Sequence, residues 1–438
     1  MAAPAPGRPP SSPDRVVRAF YSALRVPAVP LVAAWMASDE RRRPALARLR
    51  PEIPETTGRP VWIHACSVGE VTVAIPLVNA LARRAPQVPL LLSASTPTGI
   101  ALARERAGVP VAWFPMDHPV SVHGFFKRVR PRALVILETE LWPGVLTCAH
   151  RHRVPVALVN GRLSDSSAVL YKRFAAIWRG AVSPLAAAGM QTPVFAERLV
   201  ALGANPDRVR VTGNIKFDSA PEPISGARRV ELRKTLGIGP DASVLVFGST
   251  RPGDEALLAS CLPVLLDACP DLTVIVAPRH LDRLEDAEAV LSAWPTVRRT
   301  AIEGVVAAPG ARIIVLDTLG ELSELYGLAD VAVVGGSFSG DVGGHNPIEP
   351  AAQGVATVFG PDMRNFPDIA RVLLNADATV QATAQSLPGT IRDLLRDPVR
   401  RQSLVANALA TVAQNAGALA RTVEMLSPLL RDTGARAT

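Results

Sequence analysis

Short, nearly continuous apolar runs alternate with longer segments of helical spacing along most of the chain. Val71–Arg84 is one of the helical segments. The apolar runs have the length and β-branched content of buried strands. We predict strands at Val61–Cys66, Pro89–Ser93, Val111–Phe114, Ala133–Leu137, Pro155–Asn160, Ala187–Gln191, Ser243–Phe247, Leu272–Val276, Ile313–Leu316, Val331–Val334 and Ala356–Phe359. Alternating strands and helices are typical of a parallel, doubly wound sheet, so the pattern predicts the α/β class.

The apolar runs fall into two groups separated by a linker rich in Pro, Gly and Ser at Pro221–Gly226. A chain of 438 residues is long enough for two domains. We therefore expect a first domain at residues 51–220 and a second at 221–438, after a disordered and membrane-associating start at 1–50. An Ala- and Leu-rich helical region at Leu404–Leu430 closes the chain.

The start of the chain combines a Pro-, Ala- and Ser-rich segment, residues 1–15, with an apolar stretch at Ala19–Ala37. Its longest uncharged run, Val26–Ser38, is shorter than the roughly 20 residues of a membrane-spanning helix. We expect it to lie in the membrane interface, where the following arginines, among them Arg41–Arg43 and Arg48, favour anionic headgroups. A cleavable signal peptide is the alternative.

The composition is 48% hydrophobic and 20% charged, as in a globular protein with a large core. Lys and Arg number 47 against 39 Asp and Glu, a net charge of +8. This balance favours phosphorylated lipid, a membrane surface or nucleic acid as partner, although a basic proteome explains it equally well. Cys66, Cys148, Cys261 and Cys269 have neither CxxC nor metal-ligand spacing, so we expect a reducing compartment and no structural metal.

Gly335–Pro350 has the pattern of a strand end, a glycine-rich turn and a helix start. Gly335 and Gly336 permit close approach of the backbone to a ligand, and Asn346 is a preferred residue for capping the helix. Free N–H groups at a helix start attract phosphate, while Glu349 can accept hydrogen bonds from sugar hydroxyls. A glycine loop of structural use only is the alternative.

Polar residues also follow the predicted strands of the first domain. Glu70 stands in a helix start after the first strand, where a carboxylate is either a general base or a partner of the helix dipole. Glu138 and Glu140 follow a later strand and suggest a polar pocket, or one solvated and one capping carboxylate. In the second domain Arg279 and His280 follow a strand and suit a nucleotide phosphate, or form a structural pair.

Eight strings resemble the 3-deoxy-D-manno-octulosonic acid (Kdo) transferases, and the similarity extends from about Phe20 to Ala420. They are His64–Glu70, Glu138–Pro143, Asn160–Ser166, Thr212–Asp218, Gly248–Thr250, Pro278–His280, Asp317–Leu322 and Gly335–Pro350. Members of this family are GT-B glycosyltransferases that move Kdo from CMP-Kdo to a lipid A precursor. Two departures stand out: Arg251 occupies a position where the family commonly has His, and the gap in the last string is five residues instead of four.

The resemblance implies two Rossmann-like domains facing a central cleft, with a C-terminal helix returning to the first domain. It makes Glu70 the catalytic base. The acceptor-binding residues would be Ser67, Gly69, Glu138, Glu140 and Arg162. The donor-binding residues would be Lys216, Ser249, Thr250, Pro278, Arg279, His280, Gly320, Glu321, Gly335, Gly336, Ser337, Asn346 and Glu349. No Asp-x-Asp motif is present, so we expect no metal and no cofactor.

The implied function is Kdo transfer to a lipid A precursor in lipopolysaccharide biosynthesis, at the cytoplasmic face of the inner membrane. CMP-Kdo, the lipid precursor and the anionic membrane surface are the expected partners, and nucleic acid is not. Two alternatives belong to other classes: a GT-B enzyme with another nucleotide-sugar donor, and a non-catalytic nucleotide- or lipid-binding protein. Neither alternative requires that the strings His64–Glu70 and Glu138–Pro143 occur together in the first domain.

Overall fold

A computed structural model of the chain describes residues 29–163, 171, 175–302, 312–340 and 342–431. Two compact units are present, the first formed by the described residues up to Asp218 together with those from Ala416, the second by Ser219–Asn415. Part of the predicted membrane-associating stretch, residues 19–28, lies outside the described residues, as do Ser164 and Ser166 of one motif.

The first unit contains a seven-stranded parallel sheet with the order β3-β2-β1-β4-β5-β6-β7. Its strands are β1 Val61–His64, β2 Leu90–Ala94, β3 Val111–Trp113, β4 Ala133–Leu137, β5 Val156–Gly161, β6 Ala187–Met190 and β7 Val209–Val211. Its helices up to the linker are α1 Val68–Arg84, α2 Pro97–Arg106, α3 Pro119–Val129, α4 Pro143–Arg151, α5 Ala175–Val182 and α6 Pro193–Leu202, with 3₁₀ turns at Arg43–Leu49, Pro206–Arg208 and Ile215–Ser219.

The second unit contains another seven-stranded parallel sheet, with the order β10-β11-β9-β8-β12-β13-β14. Its strands are β8 Val244–Thr250, β9 Thr273–Pro278, β10 Thr296–Arg298, β11 Arg312–Val315, β12 Val331–Val334, β13 Ala356–Phe359 and β14 Thr379–Gln381. Its helices are α7 Gly226–Thr235, α8 Asp254–Ala268, α9 Leu284–Leu291, α10 Leu322–Tyr326, α11 Ile348–Ala352, α12 Pro367–Asn375, α13 Leu387–Arg396 and α14 Pro398–Asn415, with 3₁₀ turns at Leu281–Arg283 and Arg299–Ile302.

Burial of both sheet faces explains why the central strands are continuous apolar runs. In β1, Val61 and Ile63 pack in the core layer that contains α1, whereas Trp62 packs in the opposite layer with Phe125 and Phe126 of α3. In register, Val61 pairs with Leu90 of β2 and with Ala133 of β4. A strand flanked in this way has no face for polar side chains, so its functional groups lie at its ends.

Three strands were not predicted, and all three form sheet edges: β7, β10 and β14. Each has three residues, and each is partly exposed. Their sequences are Val-Arg-Val, Thr-Val-Arg and Thr-Val-Gln. These strands need no apolar run, because an edge strand has a side that faces solvent. The apolar pattern therefore predicts the interior strands and the apolar edge strand β3, and misses the three edge strands that carry polar residues.

The Ala- and Leu-rich C-terminal region forms two helices, α14 in the second unit and α15, Ala418–Leu430, in the first. Asp218 fixes the start of α15 because its carboxylate accepts hydrogen bonds from the N–H groups of Gly417 and Leu419. Arg421 Nε donates to the Thr212 carbonyl at 2.9 Å. The helix that the family resemblance returns to the first domain is thus present, and the second unit ends at Asn415 instead of at the end of the chain.

The N-terminal boundary also needs correction, because the first unit begins before residue 51. Ala45 is buried, and Met116 donates its backbone N–H to the Arg48 carbonyl at 2.8 Å. Arg48 Nε in turn donates to the Phe114 carbonyl at 3.2 Å, so this arginine belongs to the fold and does not face headgroups. Residues 29–37 are helical and leave Leu31 and Trp35 exposed.

No helix within the described residues combines the length and the apolar character that crossing a membrane would require.

Candidate active site

Polar residues lie near the point in each sheet where the strand order switches from one side of a central strand to the other. In the first sheet β1 lies between β2 and β4, and in the second β8 lies between β9 and β12. Between such neighbours the following helices leave on opposite faces, which opens a crevice beyond the carboxyl ends of the strands. Backbone strain marks the same ends, since Glu138, Asn160 and Ser249 have positive φ angles of 53°, 51° and 56°.

Glu70 lies in the first turn of α1, directly after β1. Its Oε2 accepts a hydrogen bond from the Cys66 backbone N–H at 2.8 Å, and the Ser67 hydroxyl donates to Oε1 at 3.4 Å. Burial, reinforced by the charges of Glu138 and Glu140, raises the pKa of Glu70 from near 4.5 to about 8. The carboxyl group therefore stabilises the helix start and also titrates in the range useful for a general base.

The structure brings Glu140, which follows β4, next to Glu70. The Cys66 sulfur and one carboxylate oxygen each of Glu70 and Glu140 all lie within 4.8 Å of one another. Trp142 Nε1 donates to Glu140 Oε2 at 2.7 Å and holds that carboxylate in place. The thiol of Cys66 stays protonated, because burial and the two carboxylates raise its pKa to about 12.

Arg48 is the member of this first-unit site that sequence analysis misassigned. Its pKa is lowered by burial, while the charges of Cys66, Glu140 and Asp117 act in the opposite direction. The guanidinium group thus lies among acidic groups at the carboxyl edge of the sheet. No local pattern marks it, because its 3₁₀ turn precedes β1 in sequence and returns to the strand ends only through tertiary contacts.

Gly69 and Arg162, also predicted for the acceptor, and His64 at the end of β1 each have their own surroundings. Gly69 is in α1 with an ordinary helical backbone, and an added Cβ would meet nothing closer than Ser67 Oγ at 3.9 Å, so the turn does not require glycine there. Arg162 follows β5 and is half-buried. His64 is fully buried and stacks on Phe114 with ring centroids 3.5 Å apart, and burial lowers its pKa to about 3.

In the second unit, the glycine-rich loop after β12 is tied to the end of β8. Gly335 N–H donates to the Gly248 carbonyl at 2.8 Å, and a Cβ on Gly335 would lie 2.5 Å from the Ser249 carbonyl oxygen. Gly336 has a φ of +73° and donates its N–H to Asp254 Oδ2 at 2.7 Å. Both glycines are therefore needed for the close approach of loop and strand.

An acidic pair that sequence analysis did not single out holds this arrangement. Besides Gly336, the backbone N–H of Arg251 donates to Asp254 Oδ2, at 2.8 Å. Glu255 accepts from the Thr250 hydroxyl at 2.6 Å and pairs with Arg283 at 3.1 Å, almost without exposure to solvent. The only signal in the sequence was two adjacent carboxylates in the first turn of α8.

Cationic and imidazole groups surround the loop. Arg251 Nε donates to His345 Nε2 at 3.2 Å, and its Nη1 donates to His280 Nε2 at 2.9 Å. Burial together with the charges of Arg251, Arg279 and His280 lowers the pKa of His345 to about 4. Burial raises the pKa of Glu349, although Asn346 donates to it at 3.1 Å and Arg279 acts against the shift. This concentration of positive charge suits a phosphate.

The helix start after the loop differs from its prediction. Asn346 Oδ1 accepts from Ile348 N–H at 3.1 Å, yet the helix begins only at Ile348 and has five residues. Pro347 and Pro350 lack N–H donors, which leaves few amides for a ligand.

The remaining donor candidates divide by exposure. Ser337 and Thr250 are fully buried: the Ser337 hydroxyl donates to the Val334 carbonyl and accepts from Gly360 N–H, so both side chains brace the loop. Arg279 and His280 are exposed after Pro278, which ends β9. Gly320 is exposed, and Glu321 is engaged by Arg299 and Thr318. Lys216 belongs to the first unit, at its last 3₁₀ turn.

The comparisons with known proteins agree with these two units. The family model described as 3-deoxy-D-manno-octulosonic-acid transferase (kdotransferase) matches residues 39–219. A 3-deoxy-D-manno-octulosonic acid transferase of Bordetella pertussis is 35% identical, covering 94% of this chain and 99% of the relative. The Haemophilus influenzae enzyme of the same name is 30% identical with the same coverage. Acinetobacter baumannii MurG has the same fold, GT-B, with a TM-score of 0.54, 16% identity, and coverage of 85% of this chain and 100% of MurG.

The raised pKa of Glu70 makes stability depend on pH. Folded Glu70 keeps its proton up to about pH 8, whereas the unfolded side chain loses it near its ordinary value of 4.5. The stabilisation by this proton is complete below the unfolded pKa and is lost as pH rises through the folded one. We expect Glu70→Gln to flatten the decline in unfolding free energy between roughly pH 5 and 8, removing at most about 1.4 kcal/mol per pH unit.

Urea denaturation of both proteins at several pH values measures this difference. If the unfolding free energy fell equally steeply with pH in both proteins, position 70 would not hold a buried, protonated carboxyl group.

Proposed function

Because the chain belongs to the 3-deoxy-D-manno-octulosonic acid transferase family, we propose that it moves Kdo from CMP-Kdo to a hydroxyl group of a lipid A precursor, with inversion at the anomeric carbon. The observation that carries the proposal is the buried carboxyl of Glu70, whose pKa of about 8 suits a general base. The identity of the donor and acceptor follows the resemblance of the motif strings.

The second unit supplies the donor site of this proposal. CMP-Kdo carries a phosphate and a sugar carboxylate, and Arg279 and His280 stand exposed at the end of β9 beside the glycine loop. Arg251 takes the position of the family's histidine and contacts both His280 and His345, so it adds a permanent charge to the same group. Glu349, held by Asn346, is placed for hydrogen bonds from the ribose hydroxyls.

The first unit supplies the base. In the proposed step the ionised Glu70 takes the proton of the acceptor hydroxyl group. The oxygen of that hydroxyl group attacks the anomeric carbon of Kdo, and the bond between this carbon and the phosphate oxygen of CMP breaks. CMP leaves as a phosphate monoester whose charge is stabilised by Arg279 and backbone N–H groups of the second unit. Burial, together with the charges of Glu138 and Glu140, keeps the pKa of Glu70 high, and Arg48 offsets the charge of Glu140.

We further propose that the protein works at the cytoplasmic face of the inner membrane. Residues 29–37 form a helix with Leu31 75% and Trp35 56% exposed. The guanidinium carbon of Arg42 lies 4.1 Å from the Trp35 ring centroid, which places a cation at the edge of this apolar surface. An apolar face with a basic border is typical of a helix that lies in an anionic membrane interface.

The base assignment predicts that Glu70→Gln lowers turnover by about 100- to 10,000-fold, because the amide cannot accept the proton. Binding of CMP should persist, because the proposed donor site lies in the second unit. The local structure should persist as well, since the amide oxygen can still accept from the Cys66 N–H. Incubation with CMP-Kdo and a tetraacyl lipid A precursor, followed by mass spectrometry, counts the transferred sugars. Glu105→Gln on the exposed end of α2 is the matched control. Near-normal turnover in Glu70→Gln would pass the role to Glu138 or Glu140.

The donor site predicts that Glu349→Ala weakens CMP binding by about 1.5–3 kcal/mol, the usual worth of a hydrogen bond to a charged group. Isothermal titration calorimetry with CMP measures the change. Glu288→Ala serves as control because Glu288 pairs with Arg298 on the surface of the same unit, outside the loop. An unchanged affinity in Glu349→Ala would remove Glu349 from the ribose site.

The membrane proposal predicts that deletion of residues 2–38 shifts the protein from the membrane fraction to the supernatant. The deletion stops before Asp39, which pairs with Arg42, but it removes Met36, which is buried in the core of the first unit. A Leu31→Glu, Trp35→Glu double variant tests the same surface in the full chain. Full retention of both proteins in the membrane fraction would contradict the proposal.

A further inference from the structure

Two histidines and a cysteine meet on the surface of the first unit, away from every motif discussed above. His123 belongs to α3, Cys148 to α4, and His152 follows directly after α4. One ligand atom from each side chain lies within 4.8 Å of the other two. Imidazole nitrogen and thiolate sulfur are the ligands that Zn²⁺ prefers in proteins.

The local structure arranges these side chains as a metal site would. Cys148 and His152 are four residues apart, and the His152 backbone N–H bonds to the Cys148 carbonyl at 2.9 Å, so both point from one side of the helix end. The ring of His152 stacks on Phe126 of α3 with centroids 5.6 Å apart, which fixes its orientation. The neighbouring helix then provides the third ligand, His123.

The spacing of the two imidazoles fits a shared ion. His152 Nε2 lies 3.2 Å from His123 Nδ1. Two nitrogens bound at about 2.0–2.1 Å to a tetrahedral Zn²⁺ would lie about 3.3–3.4 Å apart. A hydrogen bond between the rings also fits this distance, but it does not account for the Cys148 sulfur, which lies within 4.8 Å of one nitrogen of each ring.

We propose that His123, Cys148 and His152 bind Zn²⁺ or a similar divalent transition metal, with water as the fourth ligand. Both histidines are exposed and Cys148 is half-buried, so the ion can enter from solvent. Because α4 starts at the carboxyl edge of the sheet and runs back toward the amino edge, its end lies opposite the Glu70 cluster. The ion would join α3 to the end of α4 and stabilise the first unit without entering the transfer reaction.

Titration of the full-length, chelator-treated protein with Co²⁺ tests the site. We expect one ion per chain, a near-ultraviolet thiolate-to-cobalt band, intense visible bands of tetrahedral Co²⁺, and loss of these bands on addition of Zn²⁺. Cys148→Ser should abolish the near-ultraviolet band. His123→Ala and His152→Ala should each weaken Co²⁺ binding by more than about 100-fold, since loss of a residue that merely supports a ligand already costs about 10- to 100-fold.

Two controls isolate the cluster. His150→Ala removes an exposed imidazole of α4 that is not one of the three proposed ligands. Cys66→Ser removes the thiol that lies beside Glu70 and Glu140. Both variants should keep the cobalt bands. Zn²⁺ should raise the melting temperature of the wild type and of His150→Ala, and not that of His123→Ala. A missing thiolate band in the wild type, or a band that survives in Cys148→Ser, would overturn the proposal.

Discussion

Parallel pairing of strands that are buried on both faces dictates where polar groups can lie in this protein. A strand such as β1 or β8, covered by helices on both sides, can present polar groups only at its ends. Since all strands of a parallel sheet end at the same edge, their terminal residues converge there although they are distant in sequence. Glu70 after β1 and Glu140 after β4 meet for this reason.

The same constraint produces opposite electrostatic surroundings in the two units. In the first, burial and neighbouring carboxylates raise the pKa of Glu70 to about 8, so a carboxyl group holds its proton near neutral pH. In the second, burial together with the charges of Arg251 and Arg279 lowers the pKa of His345 to about 4, so this imidazole stays neutral beside fixed positive charge. One environment suits proton transfer and the other suits binding of an anion.

Buried hydrogen bonds hold these environments in place. Asp254 joins the end of β8 to the glycine loop after β12, and Ser337 joins that loop to Gly360 after β13. The left-handed backbone of Ser249 is retained among these contacts. Such braces keep the exposed Arg279 and the half-buried Glu349 in position without themselves needing to contact a ligand.

The residue pattern alone predicts the two α/β units, eleven of the fourteen described strands, and the strings around Glu70, Glu140 and Gly335, because burial on both faces and close backbone approach restrict residues locally. Three further features arise only from tertiary contacts. They are the edge strands β7, β10 and β14, which lack an apolar run; the approach of Arg48 to Cys66 and Glu140; and the hydrogen bonds of Asp254 to Gly336 and of Glu255 to Arg283. These features depend on contacts between segments far apart in the chain, which no spacing of neighbouring residues encodes.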